Sequence, residues 1–183
     1  MACQGKLSHP KRFITTTDDN GKAILDRSIP AEAPFYVLSD GEVNFAQCYV
    51  TSGFPTQLND GADLKVYSDY LKSPPGLTVS NGTVLRYVDM PPSSTCAMHI
   101  TTSLDYGVVL EGEVDLLLDS GEEQRMKRGD ICIQRATMHA WRNNSETEWA
   151  RMLYILQPVQ PLIQNGKEVK ENLGTMEGVR SST

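Results

Sequence analysis

The sequence lacks any run of basic residues. Its 183 residues include 17 Lys and Arg against 23 Asp and Glu, which gives a formal net charge of −6. Proteins that bind nucleic acid or anionic membranes carry clustered positive charge, so we expect neither as a partner. The apolar runs are too short for a membrane-spanning helix, and the first residues contain no apolar signal-peptide core. We therefore expect a cytoplasmic protein whose partner is a small molecule.

Two further absences limit the cofactors and the covalent chemistry. The four cysteines are scattered without a C-x-x-C pair, which indicates reduced, mostly buried thiols rather than disulfides or a zinc knuckle. No G-x-G-x-x-G segment follows a predicted strand. We expect neither NAD nor a flavin as cofactor, so that any oxidation would need iron and oxygen.

Helix-forming patterns are also scarce. The strongest lies at residues 62–72, where apolar residues share one face and a Pro-Pro pair follows; a shorter helix is predicted at residues 167–173. Elsewhere apolar and polar residues alternate in short segments between turn residues, which is typical of strands. In the second half these segments are residues 83–90, 97–102, 105–111, 113–118, 123–127, 130–134, 138–143 and 149–156. Many short strands at this spacing predict an all-β sandwich or barrel.

The length fits one domain, which the pattern divides into three segments. Residues 1–76 are predicted to form an N-terminal arm, with strands on both sides of a turn at residues 39–41 and a short helix, packing on the barrel. Residues 77–158 form the barrel itself. Residues 159–183 are a polar C-terminal tail whose last residues we expect to be frayed.

Three side chains in the second half stand out as candidates for chemistry. The chain has three histidines, and two of them, His99 and His139, lie in predicted strands on either side of Asp105. Two imidazoles and a carboxylate can bind Fe(II) or Zn(II), or can exchange protons with a substrate without any metal. Because side chains alternate along a strand, Thr101 should share the face of His99, and Trp141 that of His139. Both are therefore candidates for binding a substrate.

Two further residues are candidates for contacts with a substrate. Arg86 is charged on an otherwise apolar strand face, so it needs an anionic partner. That partner is either a substrate carboxylate or an internal acid such as Asp89 or Asp115, and the internal acid is slightly favoured. Tyr106 would supply a proton donor if it faced the cavity, although strict alternation turns it away from Asp105.

This arrangement resembles that of the cupins, a family of small antiparallel barrels of jelly-roll type. The residues that match the two cupin motifs are His99, Asp105, Gly112, Gly129, His139 and Asn143. Thr101 stands where the first motif has its second histidine, and Asp105 is one methylene shorter than the usual glutamate. In ordinary cupins these four positions bind one metal, so the resemblance implies a metal site with three ligands here: His99, Asp105 and His139.

The segments SLDYGVVLEGEV and GDICIQRATMHAWRN, together with KRFITTTDDNGKA near the N-terminus, resemble one subgroup more closely. Its members are single-domain cupins from fungi and bacteria, and some fungal ones accompany polyketide synthases. They are usually labelled oxidoreductases or dehydratases. The resemblance implies a small jelly-roll barrel with an N-terminal strand arm and one or two short helices. It also implies a homodimer, with contacts from the segment before residue 77.

Three functional hypotheses follow. The first is an enzyme that acts on a small organic, polyketide-derived intermediate by acid–base or metal-assisted lyase chemistry, such as dehydration with aromatisation, or decarboxylation. In it His139 is the main acid–base group or a metal ligand, with His99 and Asp105 as co-ligands or orienting groups. The second is an Fe(II)-dependent oxidoreductase or oxygenase that uses the same three residues as ligands. The third is a non-catalytic, ligand-binding cupin, in which the missing histidine marks lost catalysis.

Overall fold

Two β-sheets face each other across an apolar core in the computed structural model, which describes residues 7–38 and 43–182. The described part contains one α-helix, α1 (Ala62–Lys72), preceded by a single 3-10 turn at Asn59–Gly61. The strands are β1 (Thr15–Thr17), β2 (Ala23–Leu25), β3 (Phe35–Val37), β4 (Asn44–Val50), β5 (Val84–Met90), β6 (Ser94–Thr95), β7 (Ser103–Glu111), β8 (Glu113–Leu118), β9 (Glu123–Lys127), β10 (Ile131–Arg135), β11 (His139–Asn143), β12 (Ala150–Pro158), β13 (Ile163–Gln164) and β14 (Lys167–Glu168).

The larger sheet has six strands in the order β10-β7-β12-β5-β4-β3, and the smaller sheet has four in the order β6-β11-β8-β9. Neighbouring strands are antiparallel throughout. Two small hairpins, β1-β2 and β13-β14, complete the described strands. The all-β prediction is confirmed, as two sheets packed face to face around inward-pointing side chains.

The helix prediction at residues 62–72 is confirmed by α1. Its Tyr67 is fully buried against the larger sheet and donates a hydrogen bond of 2.8 Å to the carbonyl of Gln47. Tyr67 also lies 4.6 Å from Tyr49, measured between ring centroids. The helix ends at Lys72, directly before the Ser-Pro-Pro segment that cannot continue it. Burial of this one face is what holds the helix on the sheet.

Two local predictions are wrong. Residues 97–102 do not form a strand; only His99 and Ile100 make isolated bridges there. The helix predicted at residues 167–173 is replaced by the β13-β14 hairpin. Asn165 and Gly166 both adopt positive φ, 51° and 74°, which is the conformation that an Asn-Gly pair favours in a two-residue hairpin turn.

The C-terminal tail is ordered rather than frayed. The backbones of Ile100 and Asn172 exchange two hydrogen bonds, of 2.8 and 2.9 Å. Near the end of the chain, the Ser182 hydroxyl accepts a hydrogen bond of 3.1 Å from the backbone N–H of Thr78. These bonds fasten the tail along the open side of the sheets, because its peptide groups find partners there instead of water. The turn predicted at residues 39–41 lies outside the described residues.

The outer face of the larger sheet is apolar, and only part of it is covered. Around β4 and β5, Ala33 packs against this face together with Phe35 of the edge strand β3, and the His9 ring contacts Phe35. Around β7, β10 and β12, two rows of apolar side chains cross three strands and belong to neither core cluster. The rows are Ile131–Val108–Leu153 and Ile133–Tyr106–Ile155, and we call them the outer rows. Within the described residues, no helix combines the length and apolar character needed to cross a membrane.

Candidate functional site

A cavity opens between the two sheets. Its wall is mostly apolar, and the volume that a water-sized sphere can occupy inside it is about 60 Å³. Six of the residues predicted to form the site line this cavity: Arg86, His99, Thr101, Asp105, His139 and Trp141. The sheet topology thus brings together side chains from β5, β7, β11 and the bridge at residue 99.

The two histidines form a matched pair. His99 and His139 are direct antiparallel partners, joined by two backbone hydrogen bonds of 2.8 and 2.9 Å, and their ring centroids lie 4.3 Å apart. Each Nδ1 bonds the carbonyl two residues earlier, that of Ala97 at 2.8 Å and that of Thr137 at 2.9 Å. Since a carbonyl only accepts, each Nδ1 carries the hydrogen. Each neutral ring therefore keeps its lone pair on Nε2.

Asp105 has few hydrogen-bond partners for a buried carboxyl group. It is 4% exposed, and its Oδ1 has no hydrogen-bond partner in the structure. Its Oδ2 accepts one long hydrogen bond of 3.5 Å from Thr101 Oγ1, which in turn accepts a bond of 2.8 Å from the Ser103 hydroxyl. A buried carboxylate oxygen without a donor is costly. Oδ1 is therefore the atom most ready to accept a proton or a hydrogen bond from a ligand.

Burial inverts the usual order of proton affinity in the cavity. It raises the pKa of Asp105 to about 6, an effect that Ser103, Thr101 and the charge of Arg86 only partly offset. It lowers the pKa of His139 to about 3, with a further contribution from the charge of His99, whose own pKa is also lowered by burial. Near neutral pH both imidazoles are uncharged, and Asp105 is the cavity group poised to exchange protons.

Replacing Asp105 by Asn is expected to stabilise the protein at neutral pH. Between pH 3.8 and 6 the carboxyl group of Asp105 loses its proton in the unfolded chain but retains it in the folded protein. The free energy of unfolding therefore falls as pH rises through this range. From the raised pKa of about 6, the Asn variant should gain on the order of 3 kcal/mol relative to wild type between pH 4 and pH 7.5. Urea unfolding at the two pH values measures this difference.

Asp115→Asn is a control for which the expected change in stability has the opposite sign. The pKa of Asp115 is lowered, chiefly by its hydrogen bond from Arg125, whose Nε lies 2.6 Å from Oδ1. Its contribution to stability is present above pH 3.8 and is lost as pH falls, so Asp115→Asn should lose stability relative to wild type between pH 4 and pH 7.5. An Asp105→Asn variant that behaved like Asp115→Asn would contradict the pKa order described here.

The prediction that an internal acid such as Asp89 or Asp115 pairs with Arg86 is wrong. Asp89 accepts two hydrogen bonds of 2.6 Å from Arg151, and Asp115 is paired with Arg142 at 2.9 Å. Both carboxylates are thus engaged with other arginines. Arg86 points into the cavity instead, where it makes no ion pair with any described residue.

The structure also corrects the assignment of Tyr106. It pairs with Ile133 and Ile155 on the outer face, and it does not line the cavity. Alternation along β7 decides this, because Asp105 and Gly107 point inward. Tyr106 therefore cannot contact a molecule bound between the sheets.

Sequence reasoning missed some of the cavity wall. Tyr154 lies across from Gly107, and a Cβ at Gly107 would approach its ring to 2.8 Å, so glycine makes room for this tyrosine. The alternation of β12 would have placed Tyr154 inward. Met176 also lines the cavity, but it reaches it from the tail, and no periodic signal could have revealed that.

The side chains of the implied metal centre do not converge. Within the part of the chain that the structure describes, no three His, Cys, Asp or Glu side chains lie close enough to hold one metal ion. His99 and His139 have the Nδ1-to-carbonyl bonds that often orient metal-binding histidines, but the carboxyl group of Asp105 is directed to Thr101. These residues do not fit the three-ligand set that the resemblance implies.

Several known proteins similar to this chain are named for fungal biosynthesis clusters. The family model for the Cupin domain matches residues 86–156. The chain is 44% identical over 162 residues to phomopsin biosynthesis cluster protein C′ of Diaporthe leptostromiformis, covering 88% of this chain and 85% of that protein. It is 42% identical over 163 residues to oryzines biosynthesis cluster protein J of Aspergillus oryzae, covering 89% of this chain and 90% of that protein.

Another relative carries a functional name. The chain is 35% identical over 168 residues to the cupin-domain-containing oxidoreductase srdB of Neurospora crassa, covering 92% of this chain and 83% of that protein. The region matched by the family model contains all the polar cavity residues described above, and the identities extend over most of the chain. The protein belongs to the cupin family.

Proposed function

We propose that this cupin is a lyase that dehydrates a small organic, polyketide-derived intermediate by metal-free acid–base chemistry. The observation that carries the proposal is Asp105, a buried carboxyl group with one unpartnered oxygen and a pKa raised to about 6. A general acid–base group works best when its pKa lies near the working pH. The names of the fungal relatives support a role in a biosynthesis cluster, and the polyketide origin of the substrate is part of the proposal.

The residues suggest one sequence of proton transfers. The Asp105 carboxylate removes a proton from the carbon beside a substrate carbonyl, and the electron pair of that C–H bond forms the new C=C bond. The C–O bond of the neighbouring hydroxyl group breaks, and the proton on Asp105 leaves with this oxygen as water. The Nε2 lone pairs of His99 and His139 accept hydrogen bonds from substrate hydroxyl groups and orient them. Enolisation with aromatisation uses the same first transfer.

The proposal is tested with β-hydroxy ketones that carry one aromatic ring, because their dehydration gives an enone that absorbs in the near ultraviolet. In deuterium oxide we expect enzyme-dependent incorporation of deuterium beside the carbonyl, together with enone formation and without oxygen consumption. Neither exchange nor enone with any such compound, from protein shown to be folded, would contradict this function.

An Fe(II)-dependent oxidoreductase is the second candidate. It is favoured by the oxidoreductase names of some relatives and by the free Nε2 atoms of the two histidines. Metal analysis of protein purified without chelator distinguishes the candidates when combined with an oxygen electrode. Stoichiometric iron and substrate-dependent oxygen consumption would favour the oxidoreductase over the lyase. A zinc-dependent lyase would instead lose its activity on chelation and regain it with zinc.

For the assembly we propose a homodimer in which the outer rows of two copies face each other. Two parallel apolar rows on a sheet face are self-complementary about a two-fold axis, and Ile131 and Ile133 are 63% and 51% exposed in the single chain. The N-terminal segment supports this placement, because it covers the neighbouring part of the same face and leaves these rows open.

Ile133→Lys is expected to convert the dimer to a monomer, because it places two charges in the apolar centre of the interface. Light scattering at micromolar concentration measures the mass. Ile163→Lys is the matched control, since Ile163 is 60% exposed on β13, which belongs to a separate two-stranded sheet, and its substitution should leave the dimer intact. A wild-type protein with the mass of one chain would contradict the proposal.

A further inference from the structure

Arg86 is a buried cation without a charged partner among the described residues. Its side chain is 2% exposed on the inner face of β5. Its Nη2 donates one hydrogen bond of 2.8 Å to the carbonyl of Gly76, and its guanidinium carbon lies 4.8 Å from the centroid of the Phe45 ring. Its buried Nε has no hydrogen-bond partner. A guanidinium has five N–H donors, so most of its hydrogen-bonding capacity is unused.

Such a group is unfavourable unless an anion joins it. Arginine keeps its charge in proteins instead of neutralising, and burial here opposes that charge by lowering the pKa of Arg86. Stacking on Phe45 offsets only part of the cost. Asp105 is near enough to interact electrostatically but makes no hydrogen bond with Arg86. The unpartnered guanidinium therefore has the character of a binding group for something that enters the cavity.

A second unpartnered polar group lies beside it. Gln47 is directly opposite Arg86 in the β4-β5 pair, and both its side-chain oxygen and its nitrogen are buried without hydrogen-bond partners. Directly opposed side chains in an antiparallel pair have Cβ atoms about 5 Å apart. Gln47 is buried and is not among the residues that line the cavity, so its amide nitrogen becomes a second donor only to an anion seated deep against the Arg86 guanidinium.

The surroundings limit the kind of anion. Among the residues that line the cavity, as far as the chain is described, Arg86 is the single Lys or Arg. One planar guanidinium matches a planar carboxylate, whereas a phosphate dianion normally needs more positive charge. The cavity wall is otherwise largely apolar, including Phe45, Val88 and Leu156, and the nearby carboxyl group of Asp105 is an exception.

We propose that the cavity binds organic monocarboxylates with a compact apolar body, and that Arg86, assisted by Gln47, holds the carboxylate. Monocarboxylates would be the substrate class of the proposed lyase. Binding of the carboxylate does not depend on that proposed function, whereas the reaction that follows binding does. The carboxylate anchors the substrate at β5, and the reacting carbon then faces Asp105 and the two histidines across the same cavity. Arg86 acts as a binding and positioning residue that takes no part in the proton transfers.

Benzoate and benzamide test the inference, because they share a shape and differ in charge. By calorimetric titration of the full chain at pH 7.5, benzoate should bind at least tenfold more tightly than benzamide, the usual minimum advantage of a hydrogen bond to a charged group. Arg86→Gln should abolish this preference by weakening benzoate binding more than benzamide binding, and Arg86→Lys should retain part of it. Equal binding of the two probes to wild type, or a preference that survives Arg86→Gln, would overturn the proposal.

Three controls keep the result interpretable. Arg86→Met conserves an extended side chain and should behave like Arg86→Gln if either variant folds poorly, as judged by its melting temperature. Asp105→Asn should bind benzoate at least as well as wild type, because it removes a nearby negative charge. Asp40→Asn with Glu42→Gln tests the acids outside the described residues: an unchanged benzoate affinity supports the proposal, and a markedly tighter one would show that an internal carboxylate already occupies Arg86.

The failures of the two proposals are distinguishable. Benzoate binding needs no turnover, so a carboxylate preference that depends on Arg86 in a protein without lyase activity would refute the proposed reaction and leave the binding site standing. Dehydration of neutral β-hydroxy ketones that is indifferent to Arg86→Gln, with no advantage for their carboxylated analogues, would refute the substrate class and leave the reaction standing.

Discussion

Asp105→Asn is expected to lower kcat/KM for dehydration by about 100- to 10,000-fold, the range that a positioned general acid–base group contributes. The amide cannot accept the substrate proton, but it preserves the size of the side chain and its contact with Thr101. The enone assay on purified variants measures the loss. Because the same substitution is expected to stabilise the fold at neutral pH, the loss cannot be attributed to unfolding.

The pH profile identifies which group is the base. With Asp105 as the base, kcat/KM of the wild type should rise as pH increases through about 6, where this carboxyl group loses its proton. With His139 as the base, the profile would be flat in that region, because burial holds its pKa near 3. Asp105→Glu retains a carboxylate and is the conservative control. A profile without an inflection near pH 6, or an Asn variant with nearly full activity, would contradict the role of Asp105.

Asp89→Ala is expected to destabilise the protein by about 3–5 kcal/mol, the cost of leaving one member of a buried ion pair alone. Asp89 is completely buried and bonds Arg151 through both oxygens at 2.6 Å. Arg151 also donates to the carbonyl of Ser8 at 2.8 Å and stacks near Phe35. The pair thus links the N-terminal segment to the larger sheet, and its loss should release that segment as well as lower the melting temperature.

An exposed ion pair is the control for this prediction. Lys72 and Asp69 lie 2.9 Å apart with side chains 72% and 76% exposed, so Lys72→Ala should change stability by about 0.5 kcal/mol or less. Thermal unfolding of both variants compares the two cases directly. Replacing both Asp89 and Arg151 by apolar residues should recover much of the loss, since no uncompensated charge remains. Equal effects of Asp89→Ala and Lys72→Ala would contradict the role of the buried pair.

The strands could be predicted because alternation is a local property. Strand β7 (Ser103–Glu111) alternates between buried and half-buried residues along most of its length. Strand β8 (Glu113–Leu118) and strand β9 (Glu123–Lys127) coincide with their predicted bounds, because a turn follows each of them. The tail could not be predicted in this way. Its polarity indicated fraying, yet its backbone pairs with Ile100 and its Met176 reaches the cavity. Polar composition does not reveal partners that are distant in sequence.

The candidate site also divides into features that the sequence predicts and features that depend on the tertiary structure. His99, Asp105 and His139 were found from their residue types and their motif frame, and all three line one cavity. Which of them exchanges protons depends on burial and on unmade hydrogen bonds, which the sequence does not contain. The partner of Arg86 is a further example: an internal acid such as Asp89 or Asp115 was expected, but the structure pairs these carboxylates with Arg151 and Arg142.

By itself the sequence determined the all-β architecture, the cupin family frame and six of the side chains that line the cavity, because periodicity and residue type are encoded locally. The tertiary structure alone decided the proton affinity, the orientation and the partners of those side chains. It buried Asp105 without a full set of donors, kept both imidazoles neutral through their carbonyl bonds, turned Tyr106 outward and left Arg86 without an acid among the described residues. Proton affinity and charge pairing depend on desolvation and on contacts between strands far apart in the chain, and these exist only once the two sheets have packed together.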